Sequence, residues 1–463
     1  MPTVAIVGGG VSGLATAYFL GRLGIRSVLI EKSQRLGGLI QTDRLEGCLL
    51  EAGPDSYLSA KPAVSELASE LESLDGQRLD GQIIGSNDTA RRVFIARAGR
   101  LIEMPRGMAL MVPSDWRSTL GSDLFSGRTK LRFVRETFFH SRKRETDVPV
   151  SEFIQEHFGC EVLEYVAEPL LTGVYGGDAG SLSARSVLPR FIAYEEKYGS
   201  LIRAVRHEQR RKEKAGSLFL SFRDGMQSFT DALARAAGDQ MTIIHGEATR
   251  VERSGGGWRI GYGRGCAIET DDVVLACPAH VAASLLDREA PLLAGELAAI
   301  PYSSAILVTL VYDRAEIEHP LDGFGFLAPR AERRAIAAAT WVSTKFPSRI
   351  RPDFAAIRAF VVGQEAEELL GAPESELVRL ARVDLAKFMG VEATPRVTSV
   401  HRWPRSMPQY VVGHAERSRV IQAAVLAQGG LYLVGNAYDG VGIPDCVRLA
   451  KETAKQIAGS TKR

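Results

Sequence analysis

The sequence predicts an α/β (α+β) fold organised around a parallel sheet, and three observations predict it. Short, continuous apolar runs at 3–7, 26–31 and 430–434 read as buried parallel strands. Glycine-rich turns follow the first and last of these, at 8–13 and 435–442. Helical spacing of apolar residues resumes directly after both turns.

Taken in order, Val11, Leu14, Ala15, Tyr18 and Phe19 recur at helical spacing up to the stop at Gly24. Residues 3–31 therefore form a strand–turn–helix–strand unit of βαβ size. The run from 58 to 85 reads as helical and acidic, and short strands at 92–96 and 100–103 flank Gly99. Residues 107–215 read as mostly helical, punctuated by Pro149 and Pro169. Asp224 and Gly225 open another helix, strands follow at 241–253 and 258–262, and a further buried strand at 272–277 ends at Pro278. Strand-like runs at 305–312 and 357–362 lie among loops, and 443–457 is the closing helix.

The length of 463 residues allows several domains, and the net charge of +2 gives no basis for a nucleic-acid partner. Five scattered cysteines show neither a CxxC pair nor metal-ligand spacing, so reduced thiols are expected and no metal site. The first residues lack a basic leader and a cleavage site. No apolar stretch reaches the length of a membrane span. The expectation is a cytoplasmic protein, peripheral at most on the inner face of the cell membrane.

Gly8, Gly9, Gly10, Val11, Ser12 and Gly13 satisfy G-x-G-x-x-G. The first glycine permits the tight turn, the second admits a pyrophosphate, and the third lets helix and strand pack closely. The helix N-terminus adds unpaired N–H groups and a positive dipole end. Glu31, ending the second strand with Lys32 beside it, offers a carboxylate to ribose hydroxyls and disfavours a 2′-phosphate. This is a Rossmann-type unit. Arg35, Gly37 and Gly38 follow, then Gly53, Pro54, Asp55 and Ser56. That extension resembles the amine oxidase-like flavoproteins, which implies FAD as cofactor, with the arginine at the pyrophosphate and the glycine pair passing close to it. The resemblance also implies Val251 beside the adenine. At the other end, Gly435, Val441, Gly442 and Ile443 form a turn and helix start that can face the flavin edge.

Along nearly its whole length the sequence resembles the oxygen-dependent protoporphyrinogen/coproporphyrinogen oxidases. The residues carrying this are EAGPDSYL at 51–58, LTGVYGGDAGSL at 171–182, GFGFLAP at 323–329, PQYVVGH at 408–414 and GNAYDGVGIPDC at 435–446. The resemblance implies an FAD-binding domain (1–85, 216–283 and 407–463), an inserted mixed-sheet substrate domain (86–106 and 284–406) and a helical, membrane-associating domain (107–215). It implies removal of six hydrogens from a porphyrinogen, with molecular oxygen yielding hydrogen peroxide. No side chain need be catalytic, because the flavin N5 accepts hydride. Arg92 matches an arginine that grips a propionate, with Arg91 an equal candidate by sequence. Phe324 and Leu327 match apolar walls around a ring, and Gly173 a carbonyl near the reacting edge. Trp403 is expected to pack on the flavin. Further cations that could serve propionates are Arg97, Arg190 and Lys345.

Met108–Pro113 with Trp116, followed by seven basic residues between 128 and 144, reads as an apolar tip for an anionic membrane. Handover of product to a ferrochelatase, and either a monomer or a homodimer, are compatible with the resemblance. An amine or amino-acid oxidase shares the N-terminal fingerprint, although 403–410 lacks a cysteine for covalent flavin attachment. A flavin- or porphyrin-binding carrier stays open, since the site depends on the cofactor more than on side chains. The substrate alternatives, coproporphyrinogen III and protoporphyrinogen IX, also stay open.

Overall fold

The computed structural model describes residues 4–209 and 216–460. Thr3 of the first predicted strand and 210–215 of the helical stretch lie outside the described residues. A five-stranded, all-parallel sheet runs in the order Met241–His245, Ser27–Glu31, Val4–Val7, Asp272–Leu275 and Leu431–Leu433. Every residue of Val4–Val7 is buried, which explains its uninterrupted apolar run. One face packs on the helices Val11–Arg22, Gln227–Ala237 and Ile443–Ser460 through Leu14, Leu233 and Ala450. The other packs on Ala279–Leu286 and Pro291–Ala298.

A seven-stranded mixed sheet forms the second body, in the order Val397–Pro408, Tyr302–Asp313, Phe354–Val362, Ala338–Trp341, Gly325–Leu327, Val93–Arg97 and Arg100–Glu103. The helix Glu374–Met389 covers its core. The third body, mainly helical, spans the Trp116–Gly121 to Leu201–Gln209 helices around Phe133, Phe153 and Phe158. The fold is therefore mixed α/β, as the alternating patterns predict.

Several local expectations differ from the structure. The acidic 58–85 run keeps only the helix Ala63–Ala68 and a short turn at Leu79–Gln82. Ser73 explains this: its backbone N–H and its hydroxyl both donate to the Gln77 carbonyl, at 2.8 and 2.9 Å, satisfying the chain without a helix. The predicted 241–253 strand breaks at Gly246, whose N–H donates to Glu31 O at 2.8 Å. Beyond it, Ala248–Ser254 joins a separate antiparallel sheet. Pro169 leaves the chain helical but follows a π-helical turn, Leu163–Ala167, that runs straight into the Glu168–Tyr175 helix, so it marks a change of helical register.

Candidate flavin site and substrate face

The first glycine turn is closed from several sides. Gly8 adopts φ +110° and donates its N–H to Ile30 O at 2.9 Å. A Cβ on Gly13 would overlap the Gly8 carbonyl oxygen, so helix and strand approach closer than any other residue allows. Glu31 accepts from the N–H of Gly9 at 2.7 Å and of Ser33 at 2.8 Å, which makes it the anchor of the turn. The helix starting at Val11 has no side-chain cap, leaving its first N–H groups open to an anion. These features fit a dinucleotide pyrophosphate.

The turn at Gly37 and Gly38 lies directly on the first. Gly37 N–H donates to Gly9 O at 2.8 Å, and a Cβ on Gly38 would lie 3.0 Å from the Gly10 Cα. The Arg35 guanidinium grips the same turn by donating to Leu36 O at 2.9 Å, Ile40 O at 2.7 Å and Gly38 O. A Cβ on Gly53 would overlap Leu39 O, so the 53–56 run is stacked on this turn in its own right. Lys32 is exposed at the end of the Ser27–Glu31 strand, and Val251 is buried near Val7 and Ile30.

The C-terminal turn meets the N-terminal one. Ser12 is buried against the Cys446 thiol, which it hydrogen-bonds and whose pKa burial pushes up to about 11. Gly435 and Gly440 take positive φ, and Gly442 N–H donates to the Asp445 carboxylate at 3.2 Å. Lys61 neutralises Asp445 at 2.6 Å, so the helix at Ile443 begins without surplus negative charge. Tyr410 is the staple of this turn. Its hydroxyl donates to Asn436 O at 2.9 Å and accepts from Gly440 N–H at 3.0 Å. Its ring stacks on His414 at 3.9 Å and 14°. Burial takes the His414 pKa down to about 4, so the ring is neutral at pH 7. The PQYVVGH run thus acts on the glycine turn, a role that sequence reasoning left unassigned.

A third set of contacts escaped the sequence entirely. The mixed sheet clamps 51–56 through one indole and three buried cations. Trp403 Nε1 donates to Ala52 O at 2.7 Å, and Arg358 donates to Gly53 O at 2.5 Å. Arg358 also pairs with Asp55 at 3.1 Å, Lys345 pairs with Asp55 at 2.9 Å, and Arg349 pairs with Glu51 at 3.1 Å. Burial opposes ionisation of Asp55, yet Lys345 and Arg358 outweigh it and hold the carboxyl well below its usual range. Lys345 is therefore a partner of Asp55 and not an open rim cation. The available signal was Arg358, a lone charge inside the apolar strand Phe354–Val362, which demands a buried partner.

The substrate candidates are partly brought together. Phe324 N–H donates to Arg92 O at 2.7 Å, and Leu327 pairs with Ile95 on the neighbouring strand. Phe324 is buried, whereas Leu327 is half-buried against the helical body. The Arg92 guanidinium already holds the Asp322 carboxylate, donates from Nε to Asp322 O at 3.0 Å, and lies 3.6 Å from Glu103. Gly173 lies on the Glu168–Tyr175 helix, exposed, with open space around it. Arg97 is committed to Glu161 at 2.7 Å.

Within the apolar tip expected at Met108–Pro113, Leu110 is 52% exposed while Met111 and Val112 are core residues, and Trp116 packs on the helical body under Arg206. A further exposed apolar face lies on the Gly127–Glu136 helix. There Leu131 (69% exposed), Val134 and, just past its end, Phe138 (71%) lie opposite the buried Thr129, Phe133 and Glu136. Among the described residues no helix is long and apolar enough to cross a membrane, and no cluster of metal ligands occurs.

A parallel sheet whose glycine turns and two helix N-termini converge defines an FAD-dependent oxidoreductase. The chain belongs to the family of flavin containing amine oxidoreductases, whose profile matches residues 11–458. It is similar to the coproporphyrinogen III oxidase of Staphylococcus aureus, with 31% identity over 98% of each chain. It is similar also to that of Bacillus subtilis, 29% identical over 97% of this chain and 96% of the relative. A solved Exiguobacterium structure, provisionally assigned as a protoporphyrinogen oxidase, superposes with TM-score 0.86 at 30% identity over 99% of this chain and 98% of its own.

Proposed function

We propose that the protein oxidises a porphyrinogen, coproporphyrinogen III in preference to protoporphyrinogen IX, to its porphyrin. The observation that carries this is the end-to-end match to two coproporphyrinogen III oxidases. Porphyrinogen and three molecules of oxygen give porphyrin and three of hydrogen peroxide, which balances the six hydrogens removed. Bound FAD supplies the hydride acceptor, so the protein's task is positioning and electrostatics.

The two glycine turns, Glu31, Arg35 and the 53–56 run hold the cofactor in this reading. Phe324 and Leu327 wall the macrocycle, and Gly173 offers its carbonyl to a pyrrole N–H. Arg92 grips a propionate by exchanging Asp322 for the substrate carboxylate, a like-for-like exchange suited to a guanidinium. The three bodies of the fold support a division into a discontinuous FAD domain, a mixed-sheet substrate domain and a helical domain, with the FAD domain extended to take in the Pro291–Ala298 helix that packs on the parallel sheet. Arg128, Lys130 and Arg135 flank the exposed Leu131, Val134 and Phe138, an arrangement that suits peripheral contact with an anionic membrane. Co-sedimentation with anionic and with neutral vesicles tests that contact, and equal binding to both contradicts it.

Anaerobic mixing with coproporphyrinogen III tests the function. Bleaching of the flavin colour, reversed by air with porphyrin formed, is the expected result. Binding without bleaching indicates a carrier. Bleaching by amines and not by porphyrinogens indicates an amine oxidase.

A further inference from the structure

The cations clamping 51–56 outnumber the carboxylates they meet. Lys345, Arg349 and Arg358 carry three positive charges, while Glu51 and Asp55 carry two negative ones. Asp55, Arg349 and Arg358 act on Lys345, and Asp55, Glu51 and Arg349 act on Arg358; burial lowers the pKa of both cations and Asp55 opposes it. Arg349 and Arg358 are 2% and 1% exposed, and neither Nε finds an acceptor among the described residues. The surplus of one positive charge is therefore buried and poorly screened.

Pairing alone does not explain it. Buried ion pairs contribute little net stability, and a third cation adds desolvation cost without a partner. What the surplus lies against is the 51–56 run, the segment stacked through Gly53 on the 37–40 turn, which itself lies on the first glycine turn. Two carbonyls of that run are fixed from the mixed sheet by Trp403 and Arg358, so charge and loop move as one piece.

We infer that Lys345 is an electrostatic positioning residue whose charge, through the Asp55 cluster, raises the reduction potential of the bound flavin. This rests on the flavin reading of 51–56. Hydride taken from the substrate carries two electrons and one proton, so FAD becomes FADH⁻ and gains one negative charge. A fixed positive surplus beside the nucleotide site would favour that state over the oxidised one.

The test measures the midpoint potential of FAD-loaded wild type, Lys345→Met, Asp55→Asn and the double variant. Lys345→Met cancels the surplus, and the ratio of reduced to oxidised flavin at a fixed poise falls tenfold or more. That is a drop of about 30 mV for a two-electron couple. Asp55→Asn enlarges the surplus and shifts the potential by a similar amount in the opposite direction. The double variant restores the surplus and returns within threefold of wild type. General disruption of the loop would move both single variants the same way, and that result overturns the inference, as does an unchanged potential in either single variant. Where a single variant releases FAD, Lys345→Arg and the double variant are read instead, and a potential away from wild type in either overturns it. A wild-type protein that binds no FAD refutes the flavin reading itself.

Discussion

Replacing Tyr410 with Phe isolates one hydroxyl. The ring keeps its stacking on His414, while Asn436 O and Gly440 N–H lose their partner in a partly buried setting. A buried polar group left unsatisfied costs about 1–3 kcal/mol, and the Asn436 carbonyl retains a lone pair that tolerates the loss better than the N–H does. A total near ~2 kcal/mol follows, borne by the closed form of the 435–442 turn. If that closed form is the one that holds FAD, the dissociation constant rises by roughly 30-fold at 1.4 kcal/mol per decade. Spread over the unfolding entropy of a 463-residue chain, the same ~2 kcal/mol lowers the melting temperature of the apoprotein by only about 2 °C. Titrating apoprotein with FAD and following flavin fluorescence reads the first quantity, and calorimetry the second. An unchanged FAD affinity refutes the staple role, and a large fall in melting temperature with unchanged affinity assigns Tyr410 to general packing.

Gly13→Ala places a methyl group on the Gly8 carbonyl oxygen, and the purified variant is expected to be colourless; full FAD content contradicts the close approach. Arg92→Ala should raise KM for coproporphyrinogen III by about tenfold or more, the worth of one charge-assisted hydrogen bond, with kcat changed far less. A fall in kcat at constant KM would assign Arg92 to the chemical step instead. In the helical body, burial alone would lower the His157 pKa, but hydrogen bonds to Glu136 and Glu195 raise it. A raised histidine stabilises fully below its unfolded pKa of about 6.5, and the gain is lost as pH rises through the folded value. The melting-temperature gap between wild type and His157→Gln should therefore shrink from pH 6 to pH 9, and a widening gap contradicts the pairing.

The nucleotide turns were legible because their signal is local: strand, glycines and helix lie within one short run, and Gly8 and Gly13 need each other across a few residues. The candidate substrate face was suggested only by resemblance, since Arg92 and Phe324 meet by way of strands far apart in the chain. The charge cluster joins Glu51 and Asp55 to Lys345, Arg349 and Arg358, a separation no periodicity reports. Where the sequence misled, competing local physics explains it. Ser73 closes a turn on Gln77 where the spacing favoured helix, and at Pro169 the chain stays helical by passing through the π-helical turn Leu163–Ala167. Met111 and Val112 read as a tip because apolar residues beside charges look the same whether they face lipid or core.

Whether this flavoenzyme acts on a porphyrinogen is decided by kcat/KM measured in air with coproporphyrinogen III and protoporphyrinogen IX, read by porphyrin fluorescence. A preference of tenfold or more for coproporphyrinogen III, about 1.4 kcal/mol of transition-state discrimination, is the expected result. A tenfold preference for protoporphyrinogen IX would keep the reaction and overturn the substrate, and turnover of neither by FAD-loaded protein would contradict the account.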